Sequence, residues 1–203
     1  MSRSLRNRAA IAGIGQTEFS KASGRSELQL ACEATKAALD DAGLDPRDVD
    51  GLVTFTMDSS EEAEVARNLG FPMLTMFARV PYGGGGACAV VMQAAMAVAT
   101  GAAEVVVCYR AFNERSGMRF GGAAATATTL PPFLDMYGPY GLLSPASWMA
   151  LQARRYMHEY GVTNQHFGRI AVVDRTHAAT NPAASSRSRR GIGRSLAPSG
   201  ATR

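Results

Sequence analysis

The chain has 203 residues, of which 46% are hydrophobic and 19% charged, a balance typical of a soluble globular protein that can bury a real core. No apolar run reaches the ~18 residues needed to cross a bilayer, and the short, glycine-broken apolar start favours a strand over a secretion signal. Cytoplasmic residence is therefore expected. The net charge of +4 is local, because residues 184–203 hold five arginines and no acid. The remainder is close to neutral, which argues against a nucleic-acid-binding face.

The first elements are marked by an apolar run and by capping residues. Residues 9–17 (AAIAGIGQT) are apolar and end in turn residues, which predicts a first strand. Ser26 and Gln29 form a capping box for a helix that Gly43 ends. Residues 52–56 (LVTFT) are β-branched and aromatic, which predicts a second strand.

A brief helix, a third strand and a long apolar helix follow. Ser59 and Glu62 predict the start of a helix that Gly70 ends, and residues 73–77 (MLTMF) predict a strand. Residues 87–99 are apolar on all sides, with a single polar exception. We therefore expect a helix that is buried within a larger fold.

The alternation of strands and helices predicts the fold class. The continuous apolar run at residues 104–110 is typical of a strand that is buried on both faces. The succession predicts an α/β domain of βαβαβα type with a mixed, mainly parallel sheet. Downstream, Ser144 and Pro145 fit the first positions of a helix that Gly161 closes, and Thr163 predicts the cap of another.

Composition predicts four parts in the chain. These are a flexible N-terminus (1–8), an α/β core (9–112), a loop and helical excursion (113–183) and a disordered basic tail (184–203). Because the composition changes abruptly at the tail, we expect an aberrant or frame-shifted end in place of a longer C-terminal half.

A glycine run before the apolar helix is the sharpest local feature. A glycine-rich turn at a helix N-terminus exposes backbone N–H groups and favours an anion or a nascent oxyanion. The alternative is that the glycines only let the backbone pass close to other chain. No GK[ST] follows, so this is not a nucleotide P-loop. The predicted active-site loop consists of Tyr82, Gly83, Gly84, Gly85 and Gly86.

The three cysteines, Cys32, Cys88 and Cys108, are isolated thiols with no CxxC spacing and no histidine at ligand spacing. Neither a disulfide framework nor a metal site is therefore expected. Cys88 lies about one turn inside the apolar helix, where a lowered pKa would make it a catalytic nucleophile. Its alanine and valine neighbours favour instead an inert core cysteine.

Three arginines after the last predicted strand are candidates for coenzyme binding. Arg110, Arg115 and Arg119 suit the phosphates of a coenzyme because a guanidinium matches the phosphate fork. Solvated charge on an exposed loop is the alternative. The three histidines have no neighbouring serine or cysteine to activate, so no catalytic role is predicted for them.

Long stretches of the chain resemble the thiolase superfamily, in its SCP2-thiolase-like lipid-transfer branch. Residues 9–55 look like the opening of lipid-transfer-type thiolases, with a strand ending in G-x-G-x-T before a helix ending in D-A-G-L. Residues 82–121 (YGGGGACAVVMQAAMAVATGAAEVVVCYRAFNERSGMRFG) look like the central helix and following strand of steroid side-chain-degrading lipid-transfer proteins. These are often called acetyl-CoA acetyltransferases.

The resemblance implies two similar halves packed in alternating α and β layers and assembled as a homodimer, of which this chain covers the first half. A thiolase nucleophile would fall at Gly84, not at Cys88, so the thiolase cysteine is absent. The branch with glycine there resembles retro-aldolases that cleave a C–C bond of a sterol side-chain β-hydroxyacyl-CoA. Their acid and base residues lie mostly in the C-terminal half, and they work with a small OB-fold partner protein.

Three functions are therefore weighed. The leading one is an acyl-CoA C–C lyase of which this chain is the core half, with a coenzyme A thioester as substrate and no covalently bound cofactor. The second is acyl transfer through Cys88, and the third is a non-catalytic dimerisation or binding subunit. Because the C-terminal half is missing, we expect the 203-residue chain alone to show no turnover.

Overall fold

The computed structural model describes residues 5–55, 60–80, 86–113 and 135–184. The chain divides into two compact units, one of residues Met1–Glu18 and Ala22–Gly117 and the other of residues Phe19–Lys21 and Met118–Arg203. Each unit has its own helices, and the described strands belong to the first.

A three-stranded sheet forms the centre of the first unit. Its strands are β1 (Gly51–Phe55), β2 (Met76–Val80) and β3 (Val106–Tyr109), all parallel, in the order β2-β1-β3. Every residue of β1 is buried, as expected for the middle strand of a parallel sheet. The parallel sheet with helices on both faces confirms the predicted α/β class.

Two helices cover one face of the sheet. Helix α1 spans Glu27–Ala42 and helix α2 spans Glu62–Leu69. As predicted, the Ser26 side chain accepts a hydrogen bond from the Gln29 backbone N–H at 3.1 Å, and Gly43 ends α1 at φ 68°. The reciprocal bond of the predicted capping box is not formed, because the Gln29 side chain donates to Glu33 at 2.9 Å instead. The apolar cluster on this face includes Leu30, Leu39, Val49, Leu52, Val65, Phe71 and Val107.

Helix α3 (Gly86–Thr100) covers the opposite face and packs on all three strands. Its cluster contains Val53, Phe55, Val80, Val90 and Ala94. Successive side chains of β1 thus enter opposite clusters, because neighbouring residues of a strand point to opposite faces.

The predicted first strand at residues 9–17 is wrong, since this segment belongs to no helix or strand. A Cβ atom on Gly13 would lie 2.3 Å from the Ala38 carbonyl oxygen, and one on Gly15 would lie 2.2 Å from that of Ala34. The two glycines therefore bring the backbone onto α1. Ile14 is exposed, so the apolar run does not enter the core.

Two strands begin later than their apolar runs predict. The run at 73–77 becomes a strand only from Met76, because the Thr75 backbone N–H donates to the Asp50 carbonyl at 2.7 Å and fixes the chain ahead of it. The run at 104–110 begins its strand at Val106, since the Asp50 carboxylate accepts the N–H groups of Glu104 and Val105 at 2.9–3.0 Å. Val107 and Tyr109 of this strand are buried, whereas Cys108 on its other face is exposed, so the prediction of burial on both faces is wrong.

The second helix also departs from its predicted start. Its N-cap is Glu61, whose side chain makes no capping hydrogen bond, and Gly70 ends it at φ 76° as predicted. Ser59, the predicted cap, lies outside the described residues.

The second unit contains helices α4 (Pro145–Tyr160) and α5 (Asn164–Ala178). The predicted Ser144 cap is confirmed, because its side chain accepts the Ser147 backbone N–H at 3.3 Å, and Gly161 ends α4 at φ 65°. Thr163 caps α5 in a capping box. Among the described residues of this unit only Gly168 is buried.

Two parts of the chain that the sequence singled out lie outside the described residues. They are the basic tail, apart from Ala184, and residues 114–134 of the predicted excursion. Among the described helices, none combines the length and the apolarity that crossing a membrane requires.

Candidate functional site

The carboxyl ends of the three strands meet at one edge of the sheet, because all three run in the same direction. The strands end there at Phe55, Val80 and Tyr109, and α3 begins at Gly86 after β2. In open parallel sheets, ligands bind in the crevice outside the carboxyl ends of the strands. We call this side of the first unit the carboxyl edge.

Only the last residue of the predicted active-site loop is described. Gly86 is the first residue of α3 and is buried, and the first turn contains no acidic residue. The amino end of this helix therefore keeps its partial positive charge, which favours an anion. Tyr82, Gly83, Gly84 and Gly85 lie outside the described residues, and so do Arg115 and Arg119.

Cys88 is exposed in the first turn of α3, so the expected core position of this cysteine is wrong. The helix buries Gly86, Val90 and Ala94 against the sheet. Cys88 is two residues from both Gly86 and Val90, and a rotation of about 200° puts it on the opposite side of the helix. The helix period, not the apolar composition, decides its exposure.

The thiol of Cys108 lies in a different environment. Its Sγ atom donates to the Val90 carbonyl at 3.8 Å. Taken over all its atoms, the residue is exposed. Its thiol group is nevertheless buried, and this burial raises the pKa of the thiol from 9.0 to about 11. Burial also raises the pKa of Cys32. Because the thiolate is the nucleophile, burial disfavours the reactive form of both thiols.

Arg110 follows β3 at the carboxyl edge and lies over two aromatic rings. Its Cζ atom is 5.2 Å from the centroid of the Phe55 ring and 5.6 Å from that of Phe112. Cation–π contacts of this kind contribute about 0.5–1 kcal/mol each at exposed sites. The two rings hold the guanidinium through attraction to its charge.

Asn113 fastens the chain that leaves this edge. Its side-chain amide donates to the Arg25 carbonyl at 2.7 Å and accepts from the Ser23 hydroxyl at 2.8 Å, while its backbone N–H donates to the Glu27 carboxylate at 3.1 Å. This cluster could not be predicted from the sequence, because residues 23 and 113 are remote along the chain and lie in irregular segments. No periodicity or motif signals the contact.

One side of α3 is apolar and uncovered in this chain. We call it the outer face of α3; it consists of Cys88, Val91, Met92 and Met96. Val91 is 44% exposed, Met92 56% and Met96 37%. The helix is thus apolar on all sides, as predicted, but only the side toward the sheet is buried here. Exposed apolar patches of this kind mark surfaces that bind other protein.

The described residues contain no group of three or more histidine, cysteine or acidic side chains that could hold a metal ion. Among the described residues, the groups at the carboxyl edge include the amino end of α3, the exposed thiol of Cys88 and the guanidinium of Arg110.

Comparison with known proteins gives a family and two similar enzymes. The family described as thiolase, N-terminal domain, matches residues 9–188. The chain is 67% identical over 180 residues to a steroid side-chain-cleaving aldolase of Thermomonospora curvata, covering 87% of this chain and 46% of that protein. It is 58% identical over 187 residues to a 17-hydroxy-3-oxo-4-pregnene-20-carboxyl-CoA lyase of Mycobacterium tuberculosis, covering 89% of this chain and 48% of that protein.

A solved structure matches at the level of the fold as well. The Ltp2-ChsH2(DUF35) aldolase superposes with a TM-score of 0.82 at 62% sequence identity, over 92% of this chain and 47% of that chain. In each of these comparisons the chain spans about half the length of the protein that it matches.

Proposed function

We propose a function from one premise: the chain belongs to the thiolase family, as a thiolase N-terminal domain. It is the N-terminal half of an aldolase that cleaves a C–C bond in the side chain of a steroid acyl-CoA. The observation that carries this proposal is the 67% identity over 180 residues to a steroid side-chain-cleaving aldolase. The chain covers less than half of that enzyme, so the activity belongs to a larger assembly than the 203 residues.

The proposed reaction is a retro-aldol cleavage of a β-hydroxyacyl-CoA ester. A base removes the proton of the hydroxyl group, the oxygen forms a carbonyl, and the C–C bond breaks. The electron pair of that bond moves into the thioester as an enolate, which takes up a proton and leaves as a shorter acyl-CoA. No oxidant and no covalent intermediate are needed, which fits glycine in place of a nucleophilic cysteine at position 84.

The contribution of this chain is stabilisation of the enolate. Preorganised donors aimed at developing charge supply a large part of the rate enhancement in such reactions. The amino end of α3 provides backbone N–H groups and a positive dipole end, with no acidic residue in its first turn to oppose an anion. We assign the active-site loop to Tyr82, Gly83, Gly84, Gly85 and Gly86, and the CoA phosphates to Arg115 and Arg119.

The acid and base groups are assigned to the other half of the enzyme. The apolar outer face of α3 is a suitable surface for that half, since a continuous apolar side has little reason to face water. The similar solved structure pairs Ltp2 with ChsH2, which supports a partner protein for this chain too. A small OB-fold protein and a homodimer are the proposed assembly.

Reconstitution tests the proposal. The 203-residue chain would be co-expressed with the part of the Thermomonospora curvata aldolase that it does not match, and cleavage of a steroid β-hydroxyacyl-CoA followed by mass spectrometry. We expect the ketone and the shorter acyl-CoA from the pair, and neither from the chain or the complementing fragment alone. A stable, purified pair that still shows no cleavage after addition of the ChsH2 protein of the similar solved structure contradicts the aldolase assignment. Cleavage by the chain alone contradicts the assignment of the acid and base groups to the other half.

Acyl transfer through Cys88 is the second candidate, and the exposure of this thiol in the first turn of α3 favours it. The partial positive charge at the amino end of a helix favours an anion nearby. Incubation with acetyl-CoA followed by peptide mass spectrometry would show an acetyl group on Cys88 if this mechanism operates, and none in Cys88→Ser. An unmodified Cys88 in the folded chain removes this candidate.

A further inference from the structure

We propose that Arg110 binds an anionic oxygen group of the CoA ester at the carboxyl edge and so positions the substrate. The nature of the ligand in this inference rests on the proposed function. The choice of Arg110 rests on the structure.

The sheet register places Arg110 beside Phe55. Thr54 of β1 is paired with Tyr109 of β3, so the next residues, Phe55 and Arg110, lie side by side where the strands end. Phe55 belongs to the apolar cluster under α3, and its ring is 5.2 Å from Cζ of Arg110. The guanidinium therefore lies on the α3 side of the sheet, the side on which the enolate-stabilising helix end is proposed.

The second ring restricts the side chain further. Phe112 is 5.6 Å from the same Cζ atom, and its backbone is held in place by its neighbour Asn113, which bonds to Arg25, Ser23 and Glu27. An arginine that is already ordered loses less side-chain entropy when it binds a ligand. The contacts thus preorganise the group before any substrate arrives.

The donors of Arg110 have no partner in the part of the chain that the structure describes. A guanidinium carries five N–H donors and stays charged at any ordinary pH. Elsewhere in this unit the cation of Arg79 is paired with Glu62 at 3.0 and 3.2 Å, and that of Arg25 with Glu18 and Glu33. Arg110 is exposed and attached only through its contact with the rings. Within the described residues, the N–H groups at the edge of its plane are therefore open to an external acceptor.

An anionic oxygen group is the acceptor that fits best. Planar guanidinium groups bind carboxylates and phosphates through two parallel hydrogen bonds. A CoA ester offers this chemistry at two places, in the phosphates of its nucleotide and in the thioester oxygen that becomes an enolate during cleavage. Probes that carry only one of the two can separate these sources.

The test measures binding by calorimetry to the full 203-residue chain with three probes. CoA carries the phosphates, S-carboxymethylpantetheine carries a carboxylate near the thioester position, and pantetheine carries neither. The variants are Arg110→Gln, Arg110→Lys and the control Arg67→Gln. Arg67 is an exposed arginine of α2, on the other face of the sheet. Circular dichroism verifies that each variant is folded, and Arg110→Lys carries the test if Arg110→Gln does not fold.

We expect Arg110→Gln to weaken the binding of one of the two charged probes by about tenfold to a hundredfold. This is the range for the loss of a charge-assisted hydrogen-bonded pair. Pantetheine binding should not change, Arg67→Gln should bind like the wild type, and Arg110→Lys should fall between. Loss confined to CoA identifies the phosphates, and loss confined to S-carboxymethylpantetheine identifies the enolate position. Equal binding of both charged probes by the wild type and the Arg110 variants overturns the inference but leaves the proposed function. A wild-type chain that binds neither charged probe also overturns the inference, and the proposed function is then decided by the reconstitution of the two halves.

Discussion

The two units of the chain form equally regular helices but bury them to very different extents. In the first unit, α1 and α2 pack on the sheet, and Leu30 and Val65 are 7% and 0% exposed. In the second unit, α4 contains no buried residue and α5 buries only Gly168 among the described residues. Leu151 of α4 and Val173 of α5 are 55% and 51% exposed. Helix formation and core formation are thus separate properties of this sequence.

The difference shows which information is local. A helix end depends on residues three or four positions apart, whereas a core needs segments that are remote along the chain. The first unit brings such segments together, since β1 lies between β2 and β3. Gly51 of β1 is paired with Met76, 25 residues later, and with Val106, 55 residues later. Substitutions in matched pairs of residues, one from each unit, can test this contrast.

The largest expected effect is that of a buried leucine. We predict that Leu30→Ala lowers the free energy of unfolding by about 2–5 kcal/mol, because it removes buried methyl groups and leaves a cavity. Leu151→Ala, the same change in an exposed helical position, should change it by at most about 0.5 kcal/mol. Urea unfolding followed by circular dichroism measures both. Equal losses would mean that the second unit has a core of its own.

The contrast between exposed and buried side chains also occurs within the first unit, at two thiols. Cys88 is exposed, whereas burial raises the pKa of Cys108 from 9.0 to about 11. At pH 8 the raised pKa makes the Cys108 thiolate about a hundredfold scarcer than that of an unperturbed thiol. We predict that iodoacetamide alkylates Cys88 first and reaches Cys108 readily only as the pH approaches 11.

Peptide mass spectrometry at several pH values measures the two rates. The variant Cys88→Ser isolates Cys108, and Cys108→Ser isolates Cys88. If Cys108 in the folded chain reacts at pH 8 as fast as it does in urea, the enclosure of its thiol is contradicted.

The helix caps should have a smaller effect that distinguishes the units again. Ser26 and Ser144 each accept a backbone N–H at the start of a helix, at 3.1 and 3.3 Å. Removing such a cap costs about 1 kcal/mol. We predict that Ser26→Ala lowers the stability of the whole first unit, because α1 is part of its core, whereas Ser144→Ala only speeds amide exchange within α4. Hydrogen exchange measured peptide by peptide tests this prediction. The slowly exchanging peptides of β1 should exchange faster in Ser26→Ala and should be unchanged in Ser144→Ala.

The sequence predicted the parts of the fold that local chemistry determines. The capping serine and the left-handed glycine gave both ends of α1 and of α4 to the residue. The same reasoning failed at residues 9–17, because an apolar run looks alike whether it joins a sheet or lies on a helix. The fact that decides it, the contact of Gly13 with Ala38, is not local.

The candidate site was predictable in the same uneven way. The glycine run and the arginines could be proposed as candidates because their chemistry is visible in the residue types. The ring of Phe112 could have been noticed from its position two residues after Arg110, but that of Phe55 required the sheet register. Exposure of Cys88 followed from the helix period once the buried positions of α3 were known. Sequence composition alone could not say which side of an all-apolar helix meets the sheet.

The smallest expected change in stability concerns that helix. Met92 on the outer face is 56% exposed, whereas Ala94, two residues later, is 9% exposed in the cluster under α3. We predict that Met92→Gln changes the free energy of unfolding by less than about 0.5 kcal/mol. The same substitution should reduce self-association of the chain, because it interrupts an uncovered apolar face. Light scattering and sedimentation measure the self-association. Ala94→Gln, the matched change on the inner face, should destabilise the chain strongly, since its amide would be buried without partners. Unchanged self-association of a folded Met92→Gln chain would mean that the outer face is not the surface through which copies associate, and the packing of the other half would then have to be sought elsewhere on the first unit.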